Sequence, residues 1–92
     1  MIFTFEWDEE KSKSNFRKHK VSFEEARTVF YDPLSITIAD PKHSIDEHRY
    51  IDIGLSSNER ILVVVYTEQR TNIRIISCRK ATKLERRMYE ED

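Results

Sequence analysis

The side chains of this sequence best suited to chemistry are the cations of its final third. Residues 60–87 contain eight basic and two acidic side chains, a net charge of +6, although the 92-residue chain carries only −1. Six of the eight are arginines, and the planar guanidinium group matches phosphate oxygens bidentately. A polyanion responds to charge within about 8–10 Å, so this segment can bind phosphate in a nearly neutral protein. The alternative is that these residues are ordinary solvated surface charges.

Metal and nucleotide chemistry have little support in the sequence. The chain contains one glycine, whereas phosphate loops and dinucleotide turns need several. The loop 40–48 holds His43, Asp46, Glu47 and His48, but their spacing matches no established metal-ligand pattern. Cys78 is the single cysteine and lies in an apolar run, which favours a small core residue over a nucleophile. The sequence therefore predicts neither a metal nor a cofactor.

The first third of the chain has the pattern of a short strand followed by two helices. Aromatic residues alternate with polar ones over residues 3–7. Asp8 is a good N-cap for a helix that ends near Lys18, with Phe16 as its main apolar anchor. Ser22 and Glu25 have the spacing of a capping box, and apolar residues recur behind them at helical intervals.

The remaining residues predict four strands and a closing helix. Alternating apolar residues over 34–39 and 50–55, and β-branched runs over 60–68 and 73–80, are separated by polar connections. Short connections in this half favour antiparallel neighbours in a meander. Thr82 and Glu85 repeat the capping-box spacing, and Leu84 and Met88 are expected to pack the final helix. We therefore predict one α+β domain over residues 1–92: an antiparallel sheet of a short N-terminal strand plus the four-strand meander, two N-terminal helices and a C-terminal helix.

The sequence predicts no contact with a membrane. Its longest uninterrupted apolar run, Ile61–Tyr66, has six residues, whereas roughly 20 are needed to cross a bilayer. The N-terminus lacks the basic and apolar segments of a secretion signal. With the lone cysteine, these features predict a cytoplasmic protein.

Three ordered segments of the chain resemble the BrnT family of bacterial toxins. They are residues 5–26 (FEWDEEKSKSNFRKHKVSFEEA), 47–54 (EHRYIDIG) and 74–90 (RIISCRKATKLERRMYE), of which the strings N-x-R-K-H and S-x-R-K-A-T-x-x-E-R-R-x-Y are the most specific. The resemblance implies a RelE-like fold and the toxin half of a type II toxin–antitoxin system. It also implies an endoribonuclease that cleaves RNA without a metal ion and arrests translation and growth. A BrnA-type antitoxin would hold it inactive, in an assembly of two toxins and two antitoxins.

Metal-independent RNA cleavage defines the roles to be filled. The 2′-hydroxyl attacks its own phosphate, a base takes its proton, cations stabilise the added charge and an acid protonates the leaving oxygen. Under the resemblance, Glu68 is the candidate proton acceptor and the cations bind the scissile phosphate. The predicted catalytic residues are Arg60, Glu68, Arg70, Arg79 and Lys80. Only one of Arg79 and Lys80 can share a strand face with Glu68, and the sequence leaves open which. Glu68 can instead form an ion pair with Arg70 or Arg74 across the hairpin.

Further side chains are predicted to bind RNA: Trp7, His48, Tyr66, Arg74, Arg86 and Arg87. Trp7 and Tyr66 can stack on unpaired bases, or can lie in the core. His48 can act as a base or an acid, or can hydrogen-bond a loop. Arg86 and Arg87 are alternatively antitoxin contacts or solvated charges.

Two other functions compete with RNA cleavage. A non-catalytic module would use the basic final third to hold RNA or a protein. A DNA-binding repressor is the weaker alternative, because the sequence shows neither a recognition helix nor a ribbon arm.

Overall fold

The computed structural model describes residues 3–40 and 48–91. Within these ranges the chain forms five strands and three helices, in the predicted order. The strands are β1 (Thr4–Glu6), β2 (Ile36–Ala39), β3 (Arg49–Leu55), β4 (Ile61–Gln69) and β5 (Asn72–Lys80); the helices are α1 (Glu9–His19), α2 (Phe23–Thr28) and α3 (Lys83–Glu91). A short 3-10 turn, Val29–Tyr31, follows α2.

The five strands form one sheet in the order β1-β5-β4-β3-β2. The four-strand meander β2 to β5 is antiparallel throughout, as predicted. The N-terminal strand is the exception, because β1 runs parallel to β5, with Thr4 opposite Asn72 and Glu6 opposite Arg74. The long stretch of chain between β1 and β5 permits either direction, and the local residue pattern of β1 does not specify its partner.

One face of the sheet, here called the helix face, packs against α1 and α2. Its buried core consists of Val21, Phe23, Ala26 and Val29 against Leu62, Val64, Tyr66, Ile73, Ile75 and Cys78. The Cys78 thiol is 1% exposed, and burial raises its pKa to about 12, so it stays neutral as the predicted core residue. The opposite face, here called the open face, is partly covered by α3.

Helix α1 is held to the sheet by a polar residue. Phe16, the predicted anchor, is 50% exposed, whereas Asn15 is 8% exposed. The Asn15 side chain donates to the carbonyl oxygens of Cys78 at 2.9 Å and Val21 at 3.0 Å, and it accepts from the Cys78 amide at 3.1 Å. Strand β1 ends at Glu6, so beyond that point Asn15 serves as the hydrogen-bonding partner of β5.

Asn15→Ala should destabilise the fold by about 2–3 kcal/mol, because it leaves buried backbone groups of Cys78 and Val21 without partners. Urea denaturation measures the loss. Ser14→Ala, at the exposed neighbouring position, is the matched control and should change stability by less than about 0.5 kcal/mol. Equal effects of the two substitutions would show that Asn15 does not support β5.

Helix α3 also packs through polar side chains. The prediction that Leu84 and Met88 supply the packing contacts of this helix is wrong, since they are 67% and 41% exposed. The residues that attach α3 are Glu85, which accepts from Arg79, and Tyr89, whose hydroxyl donates to Asp32 Oδ2 at 2.7 Å. These polar contacts, which the apolar pattern did not reveal, decide which side of the helix faces inward.

Candidate active site

A one-residue bulge decides which of Arg79 and Lys80 lies on which face. The β4–β5 register shifts between Val65 and Tyr66, so that Ile76 is the extra residue of β5. Before the bulge Ile75 faces the core, and after it Cys78 does. Arg79 therefore lies on the open face, opposite Val63, while Lys80 ends the strand opposite Leu62, on the helix-face side. Without the bulge the two positions would be exchanged.

Lys80 and two predicted arginines line a cleft at the end of the sheet where α3 begins. We call this the basic cleft; it has a volume of about 490 Å³ and is lined by Leu55, Glu59, Arg60, Ile61, Lys80, Ala81 and Arg86. Among the described residues, the side chains of Lys80 and Arg86 have no hydrogen-bond or ion-pair partner. Their charges are therefore available to an anion from outside the protein.

The positive charge of Arg60 is neutralised by the buried carboxylate of Glu25. Its guanidinium contacts Glu25 through Nε, at 2.9 Å, and Nη2, and Nη2 also donates to the Lys20 carbonyl at 3.2 Å. Ser56 Oγ donates to the same carboxylate at 2.6 Å. The Arg60 hydrogen bond is the main cause that lowers the pKa of Glu25. Arg60 therefore lines the cleft as a fixed group, most of whose donors are already used.

Arg79 is likewise paired, with Glu85 of α3. Its Nη1 and Nη2 donate to the two carboxylate oxygens at 2.7 and 2.8 Å. The same carboxylate accepts from the Thr82 amide at 2.9 Å, and the Glu85 amide donates to Thr82 Oγ1, which is the predicted capping box. The bond from Arg79 is the largest contribution that lowers the pKa of Glu85, to about 2.

The Arg79–Glu85 pair predicts a pH-dependent contribution to stability. Because the folded-state pKa of Glu85 lies below the ordinary 4.5, the pair stabilises the fold above pH 4.5 and loses this contribution as the pH falls toward 2. The free energy of unfolding of the wild type should exceed that of Glu85→Gln by about 1 kcal/mol near pH 7 and by almost nothing near pH 2. The difference at pH 7 is modest because Arg79 is partly exposed. Thermal unfolding across pH measures the difference. Glu90→Gln, on the exposed side of α3, is the control; a pH-independent difference for Glu85→Gln contradicts the prediction.

Three predicted residues lie at the opposite end of the sheet. Glu68 and Arg70 lie at and just beyond the end of β4, and His48 is exposed just before β3. Strand β4 spans nine residues, which at 3.3–3.4 Å per residue separates Arg60 from this end by roughly 30 Å. The structure therefore does not bring Glu68 and Arg70 together with Lys80 and Arg60 in one pocket.

The remaining predicted cations lie on other surfaces. Arg74 is on the open face near the hairpin, 3.8 Å from Glu6. Arg87 is exposed on α3, where it lines a shallow depression of about 220 Å³ with Lys83, Arg86 and Glu90. Arg87 therefore lies beside the basic cleft rather than in it.

The two predicted stacking aromatics belong to the core. Tyr66 is 3% exposed, and its hydroxyl donates to Asp52 Oδ1 at 2.9 Å. Trp7 is half-buried, packs edge-on against Phe23 with ring centroids 5.9 Å apart, and donates to Glu9. Tyr66 thus has no face for a base, which corrects its predicted role in RNA binding: alternation along β4 put it in line with the buried Leu62 and Val64.

Three of the four potential metal ligands of the 40–48 loop, His43, Asp46 and Glu47, lie outside the described residues. Within residues 3–40 and 48–91, no group of three or more His, Cys, Asp or Glu side chains is placed to hold a metal ion. In the same ranges, no helix has the length and apolarity to cross a membrane.

Comparison with known proteins identifies the family. The structure is similar to the 1.1 Å crystal structure of the Brucella abortus ribonuclease toxin BrnT, with a TM-score of 0.64 and 21% sequence identity over 89% of this chain and 100% of that one. That likeness shows the fold. No curated protein matches the sequence. The family model for the ribonuclease toxin BrnT of type II toxin–antitoxin systems matches residues 7–85. The chain therefore belongs to the BrnT family of ribonuclease toxins, as its three sequence segments indicated.

Proposed function

We propose that this chain is a metal-independent endoribonuclease whose basic cleft holds the scissile phosphate. Membership of a ribonuclease toxin family makes RNA the expected substrate. The observation that carries the proposal is the pair Lys80 and Arg86, two cations that line one cleft and whose side chains form no hydrogen bond or ion pair with another described residue. An ammonium and a guanidinium in this arrangement attract a phosphate and stabilise the extra negative charge of its transition state.

We assign different roles to the cations in and beside the cleft. Lys80 and Arg86 contact the phosphate directly. Arg60, fixed by Glu25 and the Lys20 carbonyl, shapes the wall of the cleft, and Arg79, fixed by Glu85, holds the start of α3 and hence Arg86. Preorganised charges of this kind need little rearrangement when the transition state forms.

The reaction is intramolecular transesterification. The 2′-oxygen bonds to phosphorus as the bond to the 5′-oxygen breaks, the 2′-hydroxyl proton passes to a base, and the 5′-oxygen takes up a proton. The products are a 2′,3′-cyclic phosphate and a 5′-hydroxyl end.

Purified protein incubated with end-labelled single-stranded RNA in EDTA tests this proposal. We expect fragments that carry 2′,3′-cyclic phosphate ends, formed at the same rate with and without the chelator. An intact RNA band of reduced mobility would instead support the non-catalytic binding module. Cleavage that EDTA abolishes would contradict metal independence.

A toxin of a type II system has a protein antitoxin as its partner. We propose that the partner here is a BrnA-type antitoxin and that free toxin arrests growth, in an assembly of two toxins and two antitoxins. Induced expression of this chain alone should stop growth, and coexpression of the antitoxin gene next to it should restore growth. Continued growth of cells that accumulate the folded protein would contradict the proposal. The mass of the copurified complex measures the stoichiometry.

A further inference from the structure

A row of polar side chains crosses the open face near the β4–β5 hairpin. Arg49 of β3 is opposite Thr67 of β4, and Thr67 is opposite Arg74 of β5. Their neighbours Tyr50 and Tyr66 pack together on the helix face, with ring centroids 5.7 Å apart. Because side chains alternate along a strand, Arg49, Thr67 and Arg74 all lie on the open face. Two arginine positions on this face thus flank one threonine position.

The spacing of this row suits a single bound phosphate. Neighbouring strands lie about 4.8 Å apart, so the Cα atoms of Arg49 and Arg74 are about 10 Å apart on either side of Thr67. Two long side chains at that separation can converge on one group above the hydroxyl. A guanidinium group presents its donors to phosphate as a planar fork.

The row is separated from the basic cleft by a defined stretch of sheet. Lys80, which lines the cleft, is opposite Leu62, five residues along β4 from Thr67, which corresponds to about 17 Å. The sheet between them has half-buried residues beside the row, namely Ile51, Val65 and Ser77, and the buried Ile53 and Val63 nearer the cleft. A mononucleotide cannot span this distance, whereas an extended single strand can.

We propose that Arg49, Thr67 and Arg74 form a second phosphate subsite, which binds the RNA strand several nucleotides from the scissile bond. This inference rests on the proposed function, and it assigns a role to Arg49, which the sequence analysis did not identify. The occupant is single-stranded RNA because the row is cationic and the aliphatic floor beside it can pack against ribose and bases.

Glu6 of β1 competes with the proposed phosphate. Its carboxylate lies 3.8 Å from Arg74, and the two side chains are 49% and 48% exposed. An exposed pair of this kind is weak, so a phosphate can displace it. Removal of the Glu6 charge should therefore strengthen RNA binding, an effect opposite to that of substituting the arginines.

The test uses fully 2′-deoxy oligonucleotides, which bind without being cleaved, in a dinucleotide and an octanucleotide length. For Arg49→Ala/Arg74→Ala we expect the octanucleotide Kd to rise roughly tenfold. The salt slope, log K against log salt, should fall by about 0.7, the value for one phosphate. Glu6→Gln should lower the octanucleotide Kd twofold to threefold. The dinucleotide Kd should not change in any of these variants, and Lys13→Ala, on α1 across the sheet, is the matched cation control.

The outcomes separate the subsite from the cleavage proposal. An equal loss for both lengths, with thermal stability unchanged, would overturn the subsite by placing the row at the reacting phosphate. An unchanged octanucleotide Kd accompanied by lost antitoxin binding would also overturn it and would assign the row to the protein partner. If wild type shows the expected length dependence but cleaves no RNA, the subsite is supported and the proposed cleavage fails.

Discussion

Replacing Arg60 by methionine should lower the free energy of unfolding by about 2–4 kcal/mol, because it leaves the buried Glu25 carboxylate without its charged partner, while the 31% exposure of the Arg60 side chain keeps the loss below that of a fully buried pair. Glu25 is 6% exposed and holds Arg60 through two guanidinium nitrogens and Ser56 through its hydroxyl. Without Arg60 the carboxylate stays buried with only neutral partners. Urea denaturation, with the midpoint and slope fitted together, measures the effect.

A second substitution supplies the control. Glu25→Gln in the Arg60→Met background removes the uncompensated charge, so the double variant should be more stable than Arg60→Met alone. A loss below about 1 kcal/mol for Arg60→Met would contradict the buried pair and would mean that water reaches Glu25. Arg60 was predicted as a catalytic cation, and this experiment distinguishes a fold-stabilising arginine from one that acts only on substrate.

The double variant Lys80→Ala/Arg86→Ala should lower kcat/KM for RNA cleavage by about 10²–10³-fold, the loss expected when preorganised charge is removed from the transition state. Thermal stability should change little, because neither side chain bonds to another described residue. Lys13→Ala, which removes one exposed charge from α1, should leave cleavage within about twofold of wild type. Growth should depend on the cleavage activity in the same way, so cells that express the double variant should continue to divide.

Two results would contradict this prediction. If Lys80→Ala/Arg86→Ala cleaves RNA at the wild-type rate, the scissile phosphate does not lie in the basic cleft. If Lys13→Ala loses as much activity as the double variant, the effect is one of overall charge and not of site geometry.

Much of the fold could be predicted from hydrophobic period and caps alone. The residue pairs Ser22–Glu25 and Thr82–Glu85 begin helices as their spacing predicts, and the alternating segments form the antiparallel meander. The direction of β1 could not be predicted, because pairing with β5 depends on residues more than sixty positions away. Local patterns determine elements more reliably than they determine partners.

The orientations of α1 and α3 show where the apolar pattern is insufficient to predict how a helix packs. In α1 the contact with the sheet depends on Asn15 and not on Phe16, and in α3 it depends on Glu85 and Tyr89 and not on Leu84 or Met88. Each of these helices offers few apolar residues, so a specific hydrogen bond decides its orientation. Such bonds depend on where a partner group lies in space, which the sequence does not state.

The candidate site was predicted in its residue types and not in its arrangement. The basic final third does supply Lys80 and Arg86 to one cleft. The length of β4 places Glu68 and Arg70 at the far end of the sheet, and the extra residue Ile76 decides the faces of Arg79 and Lys80. The length of β4 and a single bulge thus separate in space the residues that the sequence analysis had assigned to one catalytic site.

The most direct test of the basic cleft is to map a bound RNA analogue onto the protein. In an NMR titration of ¹⁵N-labelled protein with a 2′-deoxy octanucleotide, the largest amide shifts should fall at residues 59–61, 80–81 and 86, with smaller shifts at 49, 67 and 74. Shifts confined to α1 and α2, with the cleft amides unmoved at saturation, would contradict the central claim.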